Sequence, residues 1–333
     1  MQESSPLISV IMPAYNAGQY IGEAIESILN QTYHNFEFFI VDDCSSDSTP
    51  EIIRQYAQKD TRIKFLPNAE NTGQEYIYNK CIALSTGKYI AIMHADDISY
   101  PGRFEKQVRF LEQNKDISIL GTWFSYLGMS VRNTPPQTHE QIKIMLFECS
   151  DIVILHPSVM MRKEDLLVHD LQYVDGYLAE DYKLWVDAIT KGLRIANLDE
   201  FLVKYRLHPT QLTASKREKQ LSGSMKIRSE FAEAFSQGKL TKREVEVIAN
   251  RFDGISYFEL FCLTRKLREL NSSNFFDKKE FHHYLTNRIK LRINQLSKNE
   301  LTAIIPEKYP VKFKYWLIRL YFSKIASNLF RLR

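Results

Sequence analysis

The sequence predicts an α/β protein, a mostly parallel sheet flanked by helices and followed by a helical C-terminal extension. Three observations predict it. Short apolar runs at Leu7–Met12, Phe36–Val41, Ile63–Leu66 and Tyr89–Met93 alternate with amphipathic stretches, the order that gives parallel pairing with helical crossovers. The runs are apolar at most positions, not at every second one, as strands covered on both faces are. Two of them lead into paired acids, Asp42-Asp43 and Asp96-Asp97, which a parallel arrangement brings to one edge of the sheet.

Each element has its own signal. Pro13-Ala14-Tyr15-Asn16 ends the first strand, and Tyr20–Gln31 carries Ile21, Ala24, Ile25 and Ile28 on one helical face. Cys44 to Thr49 is a turn with several capping side chains, and Pro50 suits the first turn of a helix over Glu51–Gln58. Asn68–Gly73 is a loop before a helix that reaches about Leu84 and is closed by Gly87. Tyr89–Met93 carries no charge and runs straight to Asp96 and Asp97; Tyr100-Pro101-Gly102 then breaks the chain before another amphipathic helix. Further on come a strand over Ile117–Phe124, a looser stretch at Asn133-Thr134-Pro135-Pro136 and a helix over His139–Phe147. A strand-like run over Ile152–Met161 contains His156, and a helix opening at Glu180-Asp181 has Leu184, Trp185 and Ile189 on its apolar face.

A buried strand that ends in bare carboxylates is costly unless a cation meets them. Open α/β sheets bind ligands at the carboxyl ends of their strands. A hard divalent cation, Mn²⁺ or Mg²⁺, that takes carboxylate and phosphate oxygens together fits both facts. A helix cap at a strand-to-helix turn also accounts for the pair. No Gly-x-Gly-x-x-Gly follows the first strand and no Gly-Lys-Ser/Thr occurs, so a nucleotide here is held by acids and a metal, not by a glycine cradle.

The chain's 333 residues suffice for a catalytic domain of ordinary size and a smaller second one. Four cysteines without metal spacing suit a reducing compartment and read as buried, inert thiols. Residues 1–6 are polar and no secretory signal or membrane span follows. The net charge of +4 is unevenly placed, about −9 over residues 1–215 and +13 over 216–333: an acidic body and a basic tail suited to an anionic surface.

Val10-Ile11-Met12-Pro13-Ala14-Tyr15-Asn16, Ile28-Leu29-Asn30-Gln31-Thr32-Tyr33, Phe38 to Asp47, Asn71-Thr72-Gly73 and Ser85 to Asp97 occur in that order. Together they resemble the family 2 glycosyltransferases over roughly residues 7–210. The resemblance implies the GT-A fold, a nucleotide-sugar donor, a divalent metal and anomeric inversion. Carried over by position, Pro13 and Tyr15 line the nucleoside pocket with Asn16, Asn71 and Gly73. Asp43 accepts from the base edge, usually uracil in this family, which makes a UDP-sugar the expected donor. Asp96 and Asp97 are the metal and ribose-diphosphate acids. Relatives often carry an acid two residues before Asp96 where this chain has His94, so the choice between Asp96 and Asp97 as metal ligand stays open; we favour Asp97.

The same resemblance places His156 near the donor sugar or acceptor, with a satisfied structural histidine as the alternative. It places the general base at Asp181, with Glu180 as a supporting acid and Trp185, on the helix beside them, as a donor- or acceptor-binding residue. An inverting transfer needs one carboxylate to take the acceptor's proton. Lys204-Tyr205-Arg206-Leu207-His208 is the last matching stretch: Arg206 helps neutralise the diphosphate, and His208 ligates the metal or acts one step behind it.

Two domains are expected, a catalytic domain over 1–213 and a basic helical region over 214–333. In the latter Glu230–Phe235, Lys242–Phe252, Phe258–Leu270 and Lys279–Gln295 read as helices, with a linker at Asn271-Ser272-Ser273-Asn274. The stretch Val311–Arg333 mixes aromatics and basic residues with no acid, as an interfacial membrane helix does. A helix docked on its own protein, or on a second subunit of a homo-oligomer, is the alternative. The expected whole is a hexosyl- or N-acetylhexosaminyl-transferase, peripheral at the cytoplasmic face of a membrane, extending a polysaccharide or lipid-linked glycan. A nucleotidyltransferase, or a degenerate protein that only binds nucleotide-sugar, are the alternatives. No nucleic-acid module is present in the sequence, so no nucleic-acid partner is expected.

Overall fold

The computed structural model describes residues 5–148, 152–208, 211, 217–294, 310, 312–316, 318 and 319. They divide into two compact units, Met1–Phe231 and Ala232–Arg333.

The first unit is built on a nine-stranded sheet in the order β3 (Ile63–Pro67), β2 (Phe36–Asp42), β1 (Ile8–Ala14), β4 (Tyr89–Ile92), β8 (Met160–Arg162), β6 (Ile119–Tyr126), β9 (Ile195–Tyr205) and β5 (Ile98–Ser99), with β7 (Arg132–Asn133) paired to β6. Strands β1, β2, β3 and β4 run parallel, with Val10 beside both Phe38 and Ala91. Helices α1 (Ile21–Leu29), α2 (Thr49–Lys59) and α3 (Gln74–Leu84) make the crossovers. Ile8, Val10, Met12, Phe38, Ile40, Tyr89 and Ala91 meet Ile21, Ala24, Ile25 and Ile28 of α1 in one core. Burying each large aliphatic side chain contributes roughly 1.5–3 kcal/mol. Chain order reverses between β1 and β4, and that reversal opens a crevice at the carboxyl edge.

At the opposite edge Ser9 donates to buried Glu37 (2.6 Å), which also takes the Thr86 N–H (2.7 Å), while Gly87 N–H reaches Ser9 Oγ (2.9 Å). A Cβ on Gly87 would lie 2.7 Å from Ser9 N, so only glycine lets the chain enter β4 there.

The second half of the sheet departs from the expected elements. The run Ile152–Met161 is not one strand: His156–Ser158 forms a 3-10 turn and only Met160–Arg162 (β8) is extended, antiparallel to β4. Pro157 lacks an N–H for a ladder, and Ser158 Oγ donates back to Leu155 O (2.7 Å). A long strand that the apolar pattern does not announce, β9 (Ile195–Tyr205), pairs parallel with β6 (Ile119–Tyr126) and antiparallel with β5 (Ile98–Ser99). Helices α4 (Arg103–Gln113), α5 (His139–Glu148), α6 (Lys163–Val168) and α7 (Glu180–Thr190) and the short strand β7 (Arg132–Asn133) complete this part. Cys81 is buried, but Cys44 and Cys262 are exposed, against the expectation of buried thiols.

In the second unit, capping boxes at Thr241/Glu244 and Ser256/Glu259 start helices Lys242–Ala249 and Tyr257–Leu270. Phe276 stacks on Phe281 at 4.4 Å, and Leu260, Leu263 and Leu267 are buried. Asn271–Ser273 is a 3-10 turn with Asn271 buried and bonded to both N–H and C=O of Phe276; the residues read as a linker pin the next helix, Lys278–Asn294. Of the stretch 311–333, only 312–316, 318 and 319 are described; the remainder of the expected membrane helix lies outside the described residues. Phe313 is fully buried, 5.2 Å from Phe258 and 5.6 Å from Phe261. No helix among the described residues is long and apolar enough to cross a membrane.

Candidate active site

The crevice at the carboxyl edge is lined from the first loops inward. The loop after β1 is knitted to the loop after β2. Asn16 N–H donates to Ser45 Oγ (2.8 Å), Asn16 Oδ1 accepts from Ser46 N–H (2.9 Å), Ala17 N–H reaches Thr49 Oγ1 (2.8 Å) and Gly18 N–H reaches Asp47 Oδ2 (2.9 Å). Asn16 (φ 48°) and Cys44 (φ 64°) both adopt the left-handed region, a conformation that non-glycine residues hold at a cost and mostly at functional loops. Pro13 closes β1, and Tyr15 projects from the knot with 57% of its surface exposed.

Asp43 anchors the far wall. Its Oδ1 accepts from Asn68 Nδ2 (2.9 Å), Thr72 N–H (2.9 Å) and Thr72 Oγ1 (3.0 Å), and its Oδ2 from Gly73 N–H (3.0 Å). Burial alone would raise its pKa; the donors from Thr72, Asn68 and Gly73 outweigh burial and lower it. Asn71 Nδ2 donates to Asp43 O (3.2 Å), and Gly73 holds φ 85°. Oδ1 thus takes three donors and Oδ2 one.

Asp96 and Asp97 follow β4 on the other side of β1. Asp97 has no exposed surface; Oδ1 accepts the Arg206 N–H (2.9 Å), while buried Oδ2 has no hydrogen-bond partner and lies 3.7 Å from His94 Nδ1. Burial first, then the charge of Asp96, pushes the Asp97 pKa well above the carboxylate range, against Arg206 and Arg103. Asp96 Oδ2 meets His208 Nε2 (2.9 Å), and Asp96 O accepts from Arg206 Nε (2.7 Å). Ligand atoms of His94, Asp96 and Asp97 all lie within 4.8 Å of one another. An orphaned carboxylate oxygen beside a second carboxylate and an imidazole is a donor set that suits a divalent cation. His94 keeps 28% of its side chain exposed, yet its close surroundings desolvate it enough to lower its pKa, which favours the neutral, ligating form.

The His94 ring is held from behind. His94 Nε2 meets His156 Nδ1 at 3.2 Å, and His156 Nε2 meets the Tyr173 hydroxyl at 2.8 Å. Tyr78 stacks on Tyr173 at 4.6 Å. Both ring nitrogens of His156 are thus engaged inside the protein. Trp185, only 2% exposed, packs edge-on to His156 at 6.0 Å. In this arrangement both residues support the wall of the site from beneath it.

Glu180 and Asp181 sit in the first turn of α7, where the dipole favours acids. They stay partly open to solvent although closely surrounded. Burial raises both pKa values, Glu180 to about 7 with Asp181 as the second cause. Their charges reach Tyr78 and Tyr173 and help raise those hydroxyls, so the pair faces the aromatic wall behind His94. Leu178, just ahead, holds φ 53°, strain that aims the turn.

Several contributors escape sequence reasoning. Tyr20 lies under the Arg206 guanidinium (4.7 Å) and beside the His208 ring (4.8 Å), and Glu23 pairs with Arg206 at 2.7 Å. Arg103, fully buried, donates to Ile92 O (3.0 Å) and Val159 O (3.1 Å), tying the end of β4 to the 3-10 turn; burial lowers its pKa to about 9. An arginine behind a Pro-Gly turn is the one signal the sequence offers for it.

Comparison with known proteins bears on the family and the fold. The family model described as glycosyl transferase family 2 matches residues 9–169. An uncharacterized glycosyltransferase of Haemophilus influenzae is 36% identical over 239 residues, 68% of this chain and 74% of that protein. The Escherichia coli protein named UDP-Glc:alpha-D-GlcNAc-diphosphoundecaprenol beta-1,3-glucosyltransferase WfaP is 28% identical over 228 residues, 67% of this chain and 86% of that one. Among solved structures, the mannosyltransferase PcManGT of Pyrobaculum calidifontis in complex with GDP-Man and Mn²⁺ superposes with a TM-score of 0.56 at 16% identity, covering 99% of this chain and 89% of that one. By the family match over residues 9–169 and the 36% identity to the Haemophilus influenzae glycosyltransferase over 74% of its length, this protein belongs to glycosyl transferase family 2.

Proposed function

We propose that the protein is an inverting, metal-dependent glycosyltransferase that moves a sugar from a UDP-sugar to a hydroxyl of a growing polysaccharide or lipid-linked glycan. The carrying observation is the pairing of a finished nucleoside-side wall with an acid cluster whose Asp97 Oδ2 lacks a partner. Tyr15 offers an exposed ring for the base, and Asp43 Oδ2 an acceptor for its edge. Asp97, Asp96 and His94 would hold Mn²⁺ or Mg²⁺, with His208 orienting Asp96. When bound, the cation neutralises the diphosphate and eases departure of the nucleotide. Arg206, steadied by Tyr20 and Glu23, adds positive charge at that edge.

Asp181 takes the acceptor hydroxyl's proton as the oxygen attacks the anomeric carbon from the face opposite the leaving nucleotide. Glu180 retains its own proton up to about pH 7, which spares Asp181 a second negative neighbour. The donor reading is supported by the UDP-Glc in the name of the Escherichia coli relative, and the lipid-linked acceptor by its diphosphoundecaprenol. We also propose a peripheral position at the cytoplasmic face of a membrane. Phe313 and Trp316 pack on Phe261 inside the second unit, so the contact falls to the basic residues and to the stretch beyond residue 319. Release from anionic liposomes on deleting residues 320–333 tests it; intact binding by the truncated protein sinks it.

Calorimetric titration with UDP, with and without Mn²⁺, tests the main reading. Metal-dependent binding is expected. Equal affinity in both conditions removes the metal, and no binding to UDP, GDP or dTDP-sugars leaves only a degenerate protein.

A further inference from the structure

A cavity of about 410 Å³ lies beside the β5–β9 strand pair that follows the acid cluster, lined by Tyr100, Tyr126, Arg132, Phe201 and Lys204 with the β6–β7 turn. Its volume is in the range of ligand sites, roughly 300–1,000 Å³. Tyr100 follows Asp97 by three residues, and Lys204 precedes Arg206 by two, with Ile98 paired to Lys204. The cavity is therefore built on the same backbone as the proposed cation site, yet none of its lining side chains belongs to that site.

Its chemistry is at odds with its surroundings. Residues 1–215 carry a net charge of about −9, but no acid lines this cavity. Arg132 lies over the Phe201 ring at 4.9 Å and Lys204 over the Tyr100 ring at 5.1 Å. Neither cation has a carboxylate partner among the described residues. Cations parked on aromatic faces stay desolvated on one side and keep their N–H groups for an anion. The turn itself is held firmly: Tyr126 N–H donates to Val131 O (3.2 Å), Leu127 N–H to Tyr205 O (2.8 Å), and Gly128 sits at φ 76°. Serine hydroxyls of Ser125 and Ser130 add donors and acceptors around the rim.

We propose that this cavity is a subsite for an acidic glycan, a saccharide ring bearing a carboxylate or phosphate. The apolar face of the ring packs on Tyr100, Tyr126 or Phe201, and the anion pairs with Arg132 and Lys204. Aromatic rings give a sugar an oriented apolar platform, and guanidinium and ammonium groups strengthen their hydrogen bonds to an anion by charge. Assigning the ligand to the acceptor chain rests on the transferase reading; the binding of an acidic saccharide does not.

The test is calorimetry on the full chain with three probes: a glucuronate-containing tetrasaccharide, a glycerol-phosphate-substituted disaccharide and neutral cellotetraose. At least one acidic probe should bind ten-fold or more tightly than the neutral one and weaken with salt. The Arg132→Gln/Lys204→Gln double variant should lose that ten-fold margin while keeping wild-type UDP affinity. The tighter of the two acidic probes names the anion. Equal binding of neutral and acidic probes, binding by none, or an undiminished margin in the double variant overturns the proposal. Loss of UDP binding by the wild-type chain would overturn the transferase reading instead and leave the saccharide result to stand by itself.

Discussion

Asp43 follows β2 and Asp97 follows β4, one strand to either side of β1, and both are buried. Asp43 is surrounded by four donor contacts and its pKa is lowered; Asp97 has one donor, an orphaned oxygen, and a pKa pushed well up. The first arrangement is complete without a ligand. The second leaves one carboxylate oxygen without a protein donor, which is the feature that the proposed cation would satisfy. Glu180 and Asp181 belong with the second kind, since burial raises both. The contrast separates a wall that holds shape from the cluster to which the proposed function assigns the chemistry, and stability is commonly sacrificed at such sites.

The largest effect is expected at the chemical step. Asp181→Asn should leave UDP binding in place and lower transfer by about 10²–10⁴-fold, the usual contribution of a positioned base. Turnover within a few-fold of wild type would move the base elsewhere. Asp97→Asn should lose Mn²⁺-dependent UDP binding. In the presence of a chelator, the same variant should be at least as stable as wild type at neutral pH, because the amide oxygen keeps the Arg206 N–H contact while the buried ionisable acid is removed. A destabilised Asp97→Asn would show that the carboxylate is already satisfied and would erase the contrast with Asp43.

Asp43→Asn should behave in the opposite way. It faces the backbone N–H groups of Thr72 and Gly73 with a neutral amide, and we expect a loss of about 1.5–3 kcal/mol, the worth of hydrogen bonds to a charged group. UDP affinity should fall with or without metal. Chemical denaturation of both variants side by side therefore measures the comparison directly.

The first half of the sheet was legible because β1, β2 and β4 are buried on both faces, which leaves runs apolar at most positions, with Ser9 and Glu37 the polar exceptions. β9 was not. Asn197, Asp199, Glu200 and Lys204 interrupt its pattern, and its pairing with β6 shifts register around Trp123. Those polar residues have tertiary uses: Asn197 bonds to Pro136 O and Val153 O, and Glu200 pairs with Lys106. Short-range periodicity cannot contain such uses. At the site, the titratable residues were legible by type and by their place at strand ends and helix starts. Their supports were not, because Tyr20 and Glu23 reach Arg206 from more than 180 residues away. The departure at His94 was visible in sequence, but its meaning needed the His156–Tyr173 chain behind it.

The smallest effect is a slope with pH, and its sign differs between the two regions. The lowered pKa of Asp43 contributes stability that is present above its unfolded value, about 3.9, and is lost as pH falls through the folded value. Glu180 works the other way. Its pKa rises from 4.5 to about 7 on folding, so the folded state holds the proton more tightly. Its contribution is full below pH 4.5 and disappears as pH climbs towards 7. Glu180→Gln removes the titration, so the variant should gain stability relative to wild type between pH 5 and pH 7, while below pH 4.5 the difference between the two proteins should not change with pH. Thermal melts of both proteins across that range read the effect. A stability difference that stays flat through pH 5–7 would mean that Glu180 titrates alike in the folded and unfolded chains, and would set it apart both from Asp43, whose pKa folding lowers, and from the acids whose pKa burial raises.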